Sequence, residues 1–168
     1  MNINYTVKIA SPDDIEKYYD TRIKNESDNE YLPHQKQKRL HSAKSKTAVF
    51  FYGYLDGEMI CQASAAVSTK DPYVQNKEHI MSEKCAYLFN FLTEKKYRGK
   101  GYFSKLYSYM ENALREMGFE HLSLGVEPED TENKERYKAY GFTELLYEGY
   151  EEFDGMRIDV EYYRKSLK

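Results

Sequence analysis

The sequence contains no tryptophan, only two cysteines and no long apolar segment. Cys61 and Cys85 each lie in an apolar run, where a thiol usually serves as a small buried hydrophobe, so neither a disulfide nor a nucleophilic cysteine is indicated. No window approaches about 18 consecutive apolar residues, and MNINYTVKIA lacks the apolar core of a signal peptide. We therefore expect a soluble, cytoplasmic protein with no membrane partner.

The sequence also has no large excess of positive or of negative residues. The 25 Lys and Arg residues are interspersed with 28 Asp and Glu residues, and the formal net charge is −3, so no nucleic-acid partner is expected. His34 and His41 have no nearby cysteine or third ligand, and a metal site is not predicted. A length of 168 residues suits one hydrophobic core and predicts a single domain over 1–168.

Periodicity and turn residues predict a mixed α/β chain. A strand over 3–9 precedes a helix that begins at Ser11-Pro12, because Ser caps helices and Pro suits their first turn. Asp56-Gly57 joins two β-rich runs into a hairpin, whereas the polar residues 25–46 predict one short helix at most. The later elements are a strand over 85–93, a helix over 102–117, a strand over 121–126, a short helix over 131–140, and strands near 143–149 and 156–164.

The stretch KKYRGKGYFSKL, residues 95–106, stands between the apolar strand and the following helix. The first N–H groups of a helix are unpaired, and glycines let phosphate oxygens approach the backbone closely. The stretch therefore predicts an anion site, with a glycine-rich turn carrying solvated cations as the plainer interpretation.

Spacing argues against two common phosphate-binding patterns. A Walker loop needs a glycine five residues before the Gly-Lys pair and Ser or Thr after it, but Glu94 precedes and Gly101 follows. A dinucleotide fingerprint needs glycine where Ser104 stands and an acid at the end of the next strand, whereas Glu120 lies before that strand.

A third pattern, Arg/Gln-x-x-Gly-x-Gly/Ala, matches residues 98–103 except at Phe103. Residues 91–101, FLTEKKYRGKG, also run parallel to the segment Leu-Tyr-Val-x-Pro-x-Tyr-Arg-Gly-Lys-Gly. Here the chain resembles the GNAT superfamily of acyl-CoA-dependent N-acyltransferases, most clearly over 85–142. The resemblance implies the GNAT fold, an α/β fold of the α+β type, with a mixed, mostly antiparallel central sheet of six to seven strands flanked by about four helices.

The resemblance also implies how acetyl-CoA would be held. Two parallel strands would splay around it, and the backbone from Phe91 to Thr93 would pair with the pantetheine arm. The amides from Gly99 to Ser104 would hold the pyrophosphate. The predicted cofactor-binding residues are Phe91, Leu92, Thr93, Arg98, Gly99, Lys100, Gly101, Tyr102, Phe103, Ser104 and Asn133.

A second motif, DTENKERYKAYGF at 130–142, resembles the family pattern Asn-x-x-Ala-x-x-x-Tyr-x-x-x-Gly-Phe. Its Tyr137 and the Gly-Phe pair are in register, while Asp130 and Asn133 depart from it. Asn133, Tyr137 and Tyr140 share one helical face, which in this family borders the thioester sulfur. Tyr137 is therefore the predicted catalytic residue, since a phenol can protonate or hydrogen-bond the departing thiolate.

The proton acceptor is less well marked. An amine with a pKa of about 10.4 is neutral in only about one molecule in 2,500 at pH 7, so a base must take its proton. Many GNAT enzymes carry a carboxylate on the strand before the glycine loop, but residues 87–91 contain none. A water relay, Glu127 or Glu129 are the candidates.

Together these features predict transfer of an acetyl group from acetyl-CoA directly to a primary amine of a small molecule or peptide, without a metal. Acceptor specificity would lie with Tyr18, Tyr19, Tyr31 and the 70–84 connection, and pairing of edge strands allows a homodimer. Two alternatives stay open. One is a non-catalytic acyl-CoA-binding or regulatory module, which the missing strand carboxylate favours, and the other is an RNA-binding domain that uses the basic stretch as a phosphate clamp.

Overall fold

The computed structural model describes residues 4–74, 77–153 and 155–168. Residue 3 of the predicted first strand and residues 75–76 of the 70–84 connection lie outside the described residues. The strands are β1 (Tyr5–Ile9), β2 (Ala48–Leu55), β3 (Glu58–Ala66), β4 (Cys85–Thr93), β5 (His121–Val126), β6 (Glu144–Phe153) and β7 (Met156–Ser166). The helices are α1 (Pro12–Asn25), α2 (Tyr31–Lys44), α3 (Tyr102–Glu116) and α4 (Thr131–Ala139), with one 3-10 turn at Lys95–Tyr97.

The seven strands form one sheet in the order β1-β2-β3-β4-β5-β7-β6. Among the described strands, β4 and β5 are the one parallel pair, and the other neighbours are antiparallel. This confirms the predicted mixed, mostly antiparallel sheet flanked by four helices. Of the helices in the described ranges, none combines the length and apolar character that crossing a bilayer requires.

Local sequence signals explain where the early elements begin and end. The Ser11 hydroxyl accepts a hydrogen bond from the Asp14 N–H, and the Asp14 carboxylate accepts one from the Ser11 N–H, which is a capping box. Asp56 and Gly57 have φ angles of 49° and 86°, so both adopt the left-handed conformation that a two-residue hairpin turn requires.

Helix α2 is longer than the sequence predicts. Its polar sequence has a weak apolar stripe, and Leu32 is the apolar side chain that it buries fully. The helix is held partly by ion pairs from Lys36 to Asp20, at 2.7 Å, and to Glu16, at 3.4 Å, on α1. These contacts join two helices, so the periodicity of apolar residues within one segment predicts a helix that is too short.

Both faces of the sheet are covered. Helix α3 packs on one face through Leu106, Met110 and Leu114, while α1 and α2 cover the other through Ile15, Tyr19 and Leu32. Burial on both sides explains why β4 is apolar along most of its length rather than alternating.

Strands β4 and β5 separate soon after they begin. Their pairing runs only from Cys85 and His121 to Tyr87 and Ser123, after which β5 continues beside β7. On its other side β4 carries a β-bulge, because the register with β3 shifts by one residue between Phe89 and Leu92. Asn90, within the bulge, has a φ of 57°. The edge of β4 that faces β5 is therefore left open beyond Tyr87.

Candidate active site

The N-terminus of α3 is open to an external ligand. Gly101 occupies the N-cap position with a φ of 83° and supplies no side-chain cap, whereas Ser11 and Asp130 cap α1 and α4 through their side chains. Gly99 is also left-handed, and a Cβ added at either glycine would meet no atom within 4 Å among the described residues. Backbone N–H groups at such a helix start can bind an anion.

A cleft of about 670 Å³ lies between the end of β4, the start of α3 and one face of α4. It brings together two motifs that are some thirty residues apart in the chain. The predicted site residues that line it are Phe91, Leu92, Thr93, Arg98, Gly99, Gly101, Tyr102, Phe103, Ser104, Asn133 and Tyr137. Lys100 does not line the cleft, and its ammonium nitrogen lies 5.9 Å from the centroid of the Tyr97 ring.

Several lining residues were not predicted as site residues: Tyr97, Glu132, Arg136, Ala139 and Tyr140. Arg136 lies one turn after Asn133, so its helical spacing could have identified it. Its guanidinium contacts Glu132 at 3.2 Å and donates to the Asn133 amide oxygen at 3.2 Å. The Tyr140 hydroxyl lies 3.2 Å from the Ser104 hydroxyl, which links α4 to the first turn of α3.

Phe91 is the centre of an aromatic wall in this cleft. The Phe103 ring lies 5.2 Å from the Phe91 ring and the Tyr137 ring 6.0 Å from it, measured between centroids. Phe103, the residue that departs from the family pattern, is half-buried and packs against the core on the α3 side of the sheet. Part of the Phe103 ring is therefore packed against β4 and does not project into the cleft.

Tyr137 is half-buried on the face of α4 that borders the cleft. Burial raises the pKa of its phenol above the ordinary value, the charge of Asp130 raises it further, and Arg136 lowers it. The phenol is therefore protonated at neutral pH and has an O–H group to donate.

Asn133 is engaged locally. The Asp130 carboxylate accepts hydrogen bonds from the Asn133 backbone N–H at 3.1 Å and from its side-chain amide at 2.7 Å. The two departures from the family pattern therefore form the N-terminal cap of α4 together. The same contacts orient the helix that carries Tyr137.

Arg98 lies where this cleft meets a second cleft of about 960 Å³, which is bordered by α1, β1 and the β2–β3 turn. Its Nε atom donates to the Thr93 carbonyl at 2.9 Å, so the guanidinium is anchored to the end of β4. Glu127 and Glu129 are exposed and line neither cleft. In the described part of the chain, no group of three or more His, Cys, Asp or Glu side chains is placed to hold a metal ion.

The acetyltransferase (GNAT) family model matches residues 13–142. The chain belongs to this family. The match spans β4, the glycine loop, α3 and α4, so both motifs of the cleft lie inside it, and family membership supports acyltransferase activity. By sequence, no curated protein matches this GNAT chain.

Solved structures share the fold of this GNAT protein at low sequence identity. A probable acetyltransferase from Staphylococcus epidermidis ATCC 12228 has a TM-score of 0.72 at 14% identity, covering 98% of this chain and 100% of that chain. A putative acetyltransferase from Salmonella typhimurium, solved with its cofactor acetyl-CoA, has a TM-score of 0.67 at 14% identity, with 98% and 94% covered. The ribosomal-protein-S18-alanine N-acetyltransferase from Escherichia coli has a TM-score of 0.65 at 16% identity, with 98% and 95% covered.

Proposed function

We propose that the protein transfers an acetyl group from acetyl-CoA directly to a primary amine of a small molecule or peptide. The observation that carries the proposal is the meeting of the α3 N-terminus and the Tyr137 phenol in one cleft. The backbone N–H groups at the start of α3 can bind a pyrophosphate, and the phenol can hydrogen-bond a departing thiolate. The neighbour with acetyl-CoA and the neighbour named for an alanine N-acetyltransferase activity agree with this donor and this type of acceptor.

The open edge of β4 and the glycine loop suit the two ends of acetyl-CoA. Beyond Tyr87 the side of β4 that faces β5 has no strand partner among the described residues, so the backbone from Phe91 to Thr93 can hydrogen-bond the amides of the pantetheine arm. The amides from Gly99 to Ser104 would hold the pyrophosphate, and Arg98 would add a positive charge beside it.

In the reaction, the amine nitrogen bonds to the acetyl carbon, the carbon–sulfur bond breaks, and the sulfur leaves as the CoA thiolate. The proton that the amine loses passes to water, and the thiolate takes a proton from water to give the CoA thiol. Tyr137 would donate a hydrogen bond to the sulfur as negative charge develops there. Complete proton transfer from a phenol near pKa 10 to a thiolate near 8.5 is uphill by about 1.5 units, or roughly 2 kcal/mol. Burial raises the pKa of Tyr137 and increases this cost, so we assign Tyr137 as a hydrogen-bond donor.

The test is release of the CoA thiol from acetyl-CoA in the presence of polyamines, amino acids, aminoglycosides or peptide N-termini. We expect Tyr137→Phe to lower kcat about 10- to 100-fold because it removes the donor to sulfur, with little change in CoA affinity. Tyr150→Phe is the matched control, since Tyr150 is exposed on β6 and outside the cleft. Equal rates for Tyr137→Phe and the wild type would contradict the assigned role.

The second candidate is a non-catalytic acyl-CoA-binding module. It is favoured by the absence of a carboxylate from residues 87–91 of β4 and by the position of Glu127 and Glu129 outside both clefts. Binding of CoA without acylation of any amine in the panel would select this function. A salt-sensitive shift of RNA mobility without any response to CoA would instead select the RNA-binding alternative.

Three further proposals concern the whole protein: one domain over 1–168, a cytoplasmic location, and a homodimer formed through edge strands. The sheet ends at β1 and β6, and β6 exposes Leu145, Tyr147 and Tyr150. These side chains would be covered if two copies paired along β6.

A further inference from the structure

Arg39 of α2 lies on the face of the sheet opposite α3, close to the bulge in β4. Its guanidinium carbon is 5.0 Å from the centroid of the Phe89 ring and 5.9 Å from that of Tyr73. Phe89 directly precedes Asn90, where β4 bulges beside the open edge. Arg39 lines neither of the two clefts and lies across the sheet from α3. If the thioester reacts at this opening, as the proposed function requires, an acceptor that entered from the α2 face would meet Arg39.

Among the described residues, Arg39 lacks the partners that a half-buried arginine normally has. Its Nε atom is enclosed and has no hydrogen-bond partner, and no carboxylate of the described residues forms an ion pair with it. Other arginines of the chain do pair with carboxylates: Arg22, Arg115, Arg136, Arg157 and Arg164. The positive charge of Arg39 is therefore uncompensated within this part of the chain.

The carboxylates near this face are already engaged. Glu151 accepts hydrogen bonds from Lys77 at 2.7 Å and from the Tyr162 hydroxyl at 2.6 Å. Asp71 accepts from the Thr47 hydroxyl at 2.6 Å and from the Tyr73 N–H at 2.9 Å. Both carboxylates are therefore engaged elsewhere, and the described residues supply no ion-pair partner to Arg39. An anion from outside the chain is a partner that its charge suits.

The guanidinium lies over the rings of Phe89 and Tyr73, which stack with Tyr87 beneath it. The rings of Tyr73 and Phe89 stack at 4.4 Å with an interplanar angle of 16°, and Tyr87 lies 5.9 Å from Tyr73. A guanidinium held over aromatic faces is restrained in position while its N–H edge can still bind a ligand.

We propose that Arg39 binds a carboxylate of the acceptor, and that the substrate class is small amines that carry a carboxylate, such as amino acids. A guanidinium can bind both oxygens of a carboxylate at once, which orients the ligand as well as holding it. A polyamine would instead place a second cation against Arg39. This inference rests on the proposed function, because it names the acceptor of the same site.

The experiment compares amino acids with their C-terminal amides as acceptors, using thiol release from acetyl-CoA. Wild-type protein, Arg39→Gln and Arg39→Lys are measured beside Lys38→Gln, a control that removes an exposed cation from the same helix. For each substrate, KM of the variant is divided by KM of the wild type. This ratio removes the effect of the different pKa values of the two amines.

We expect Arg39→Gln to raise KM for the amino acid at least about tenfold, the scale of one charged hydrogen-bonded contact, with KM for the amide unchanged. Arg39→Lys should raise KM for the amino acid less than Arg39→Gln does, since lysine keeps the positive charge but cannot bind both carboxylate oxygens at once. If Arg39→Gln fails to fold, Arg39→Lys provides the test. Lys38→Gln should have the same KM values as the wild type, and every variant should bind CoA with wild-type affinity.

Equal losses on the acid and the amide would overturn the assignment of Arg39, and so would preferential turnover of polyamines, while acetyl transfer itself would stand. If acetyl-CoA binds but no amine is acylated, the proposed function is wrong and the assignment of Arg39 falls with it. The two failures therefore give different results.

Discussion

Phe103 shows how one side chain can depart from a motif without closing the site. Its ring packs against Phe91 on β4, and it lines the cleft instead of blocking the start of α3. What the proposed pyrophosphate contact needs from this position is the backbone N–H, which every residue except proline provides. Glycine matters more at positions 99 and 101, where the φ angles are 73° and 83°.

Gly101→Glu tests the loop at the residue scale. The new side chain would carry a negative charge into the space that the glycine leaves open, and we expect CoA affinity to fall at least about tenfold. The matched control is Gly118→Glu, because Gly118 is also left-handed with open space around it but lies at the other end of α3. Binding measured by calorimetry should separate the two variants.

Both substitutions force a side chain onto a left-handed residue, so each should destabilise the fold by about 1 kcal/mol or slightly more. Equal loss of CoA affinity in the two variants would therefore point to general destabilisation. A CoA affinity that is unchanged in Gly101→Glu would remove the glycine loop from the proposed site.

At the scale of elements, α4 depends on its two ends more than on its own surface. It has no buried residue among Thr131–Ala139, although it carries Tyr137. Asp130 caps its start, and at its end the Phe142 N–H donates to the Tyr137 carbonyl at 3.0 Å while the Phe142 side chain is fully buried. The position of the phenol is thus set by a cap and by an anchor in the core.

Asp130→Ala should therefore affect both stability and rate. Loss of the cap is expected to reduce the free energy of unfolding by about 1 kcal/mol and to lower kcat because Tyr137 is held less firmly. Asp130→Asn is the control: an asparagine can still cap the helix, while the charge that raises the pKa of Tyr137 is removed. Denaturant unfolding and thiol release, measured on both variants, should show the loss for alanine only. Similar losses for both would assign the effect to charge.

At the scale of the molecule, the 70–84 connection is tied to the terminal hairpin through Glu151. Burial raises the pKa of Glu151, but hydrogen bonds from Lys77 and Tyr162 outweigh it, and the net pKa lies below the ordinary value of 4.5. A carboxyl group with a depressed pKa stabilises the fold at pH values above its ordinary pKa. This contribution is lost as the pH falls through the depressed value.

Glu151→Gln should accordingly be less stable than the wild type at pH 7 by about 1 kcal/mol, a figure reduced for partial exposure to solvent. The difference should shrink at pH 3, where the wild-type carboxyl group is increasingly protonated. Urea unfolding at the two pH values measures this, with Glu152→Gln as a neighbouring exposed control. A difference that does not change with pH would show that Glu151 acts through packing.

The sequence by itself determined most of the element order, because helix caps, the Asp-Gly turn and the periodicity of apolar residues act over a few neighbours. The glycine loop and the Tyr137 motif were identified in the same way, through short spacings that resemble a family. The length of α2 was underestimated, since the burial of Leu32 in the core and the ion pairs to α1 join segments that a local pattern cannot connect.

Only the tertiary structure decided how these segments meet. The separation of β4 from β5 and the bulge at Asn90 depend on strand register, which involves partners far apart in the chain. The place of Arg39 over Phe89 and Tyr73 likewise follows from packing α2 on the sheet, and in the sequence Arg39 is one cation in a basic run. Local interactions act between neighbours in sequence, whereas an active site is assembled from residues that only folding brings together.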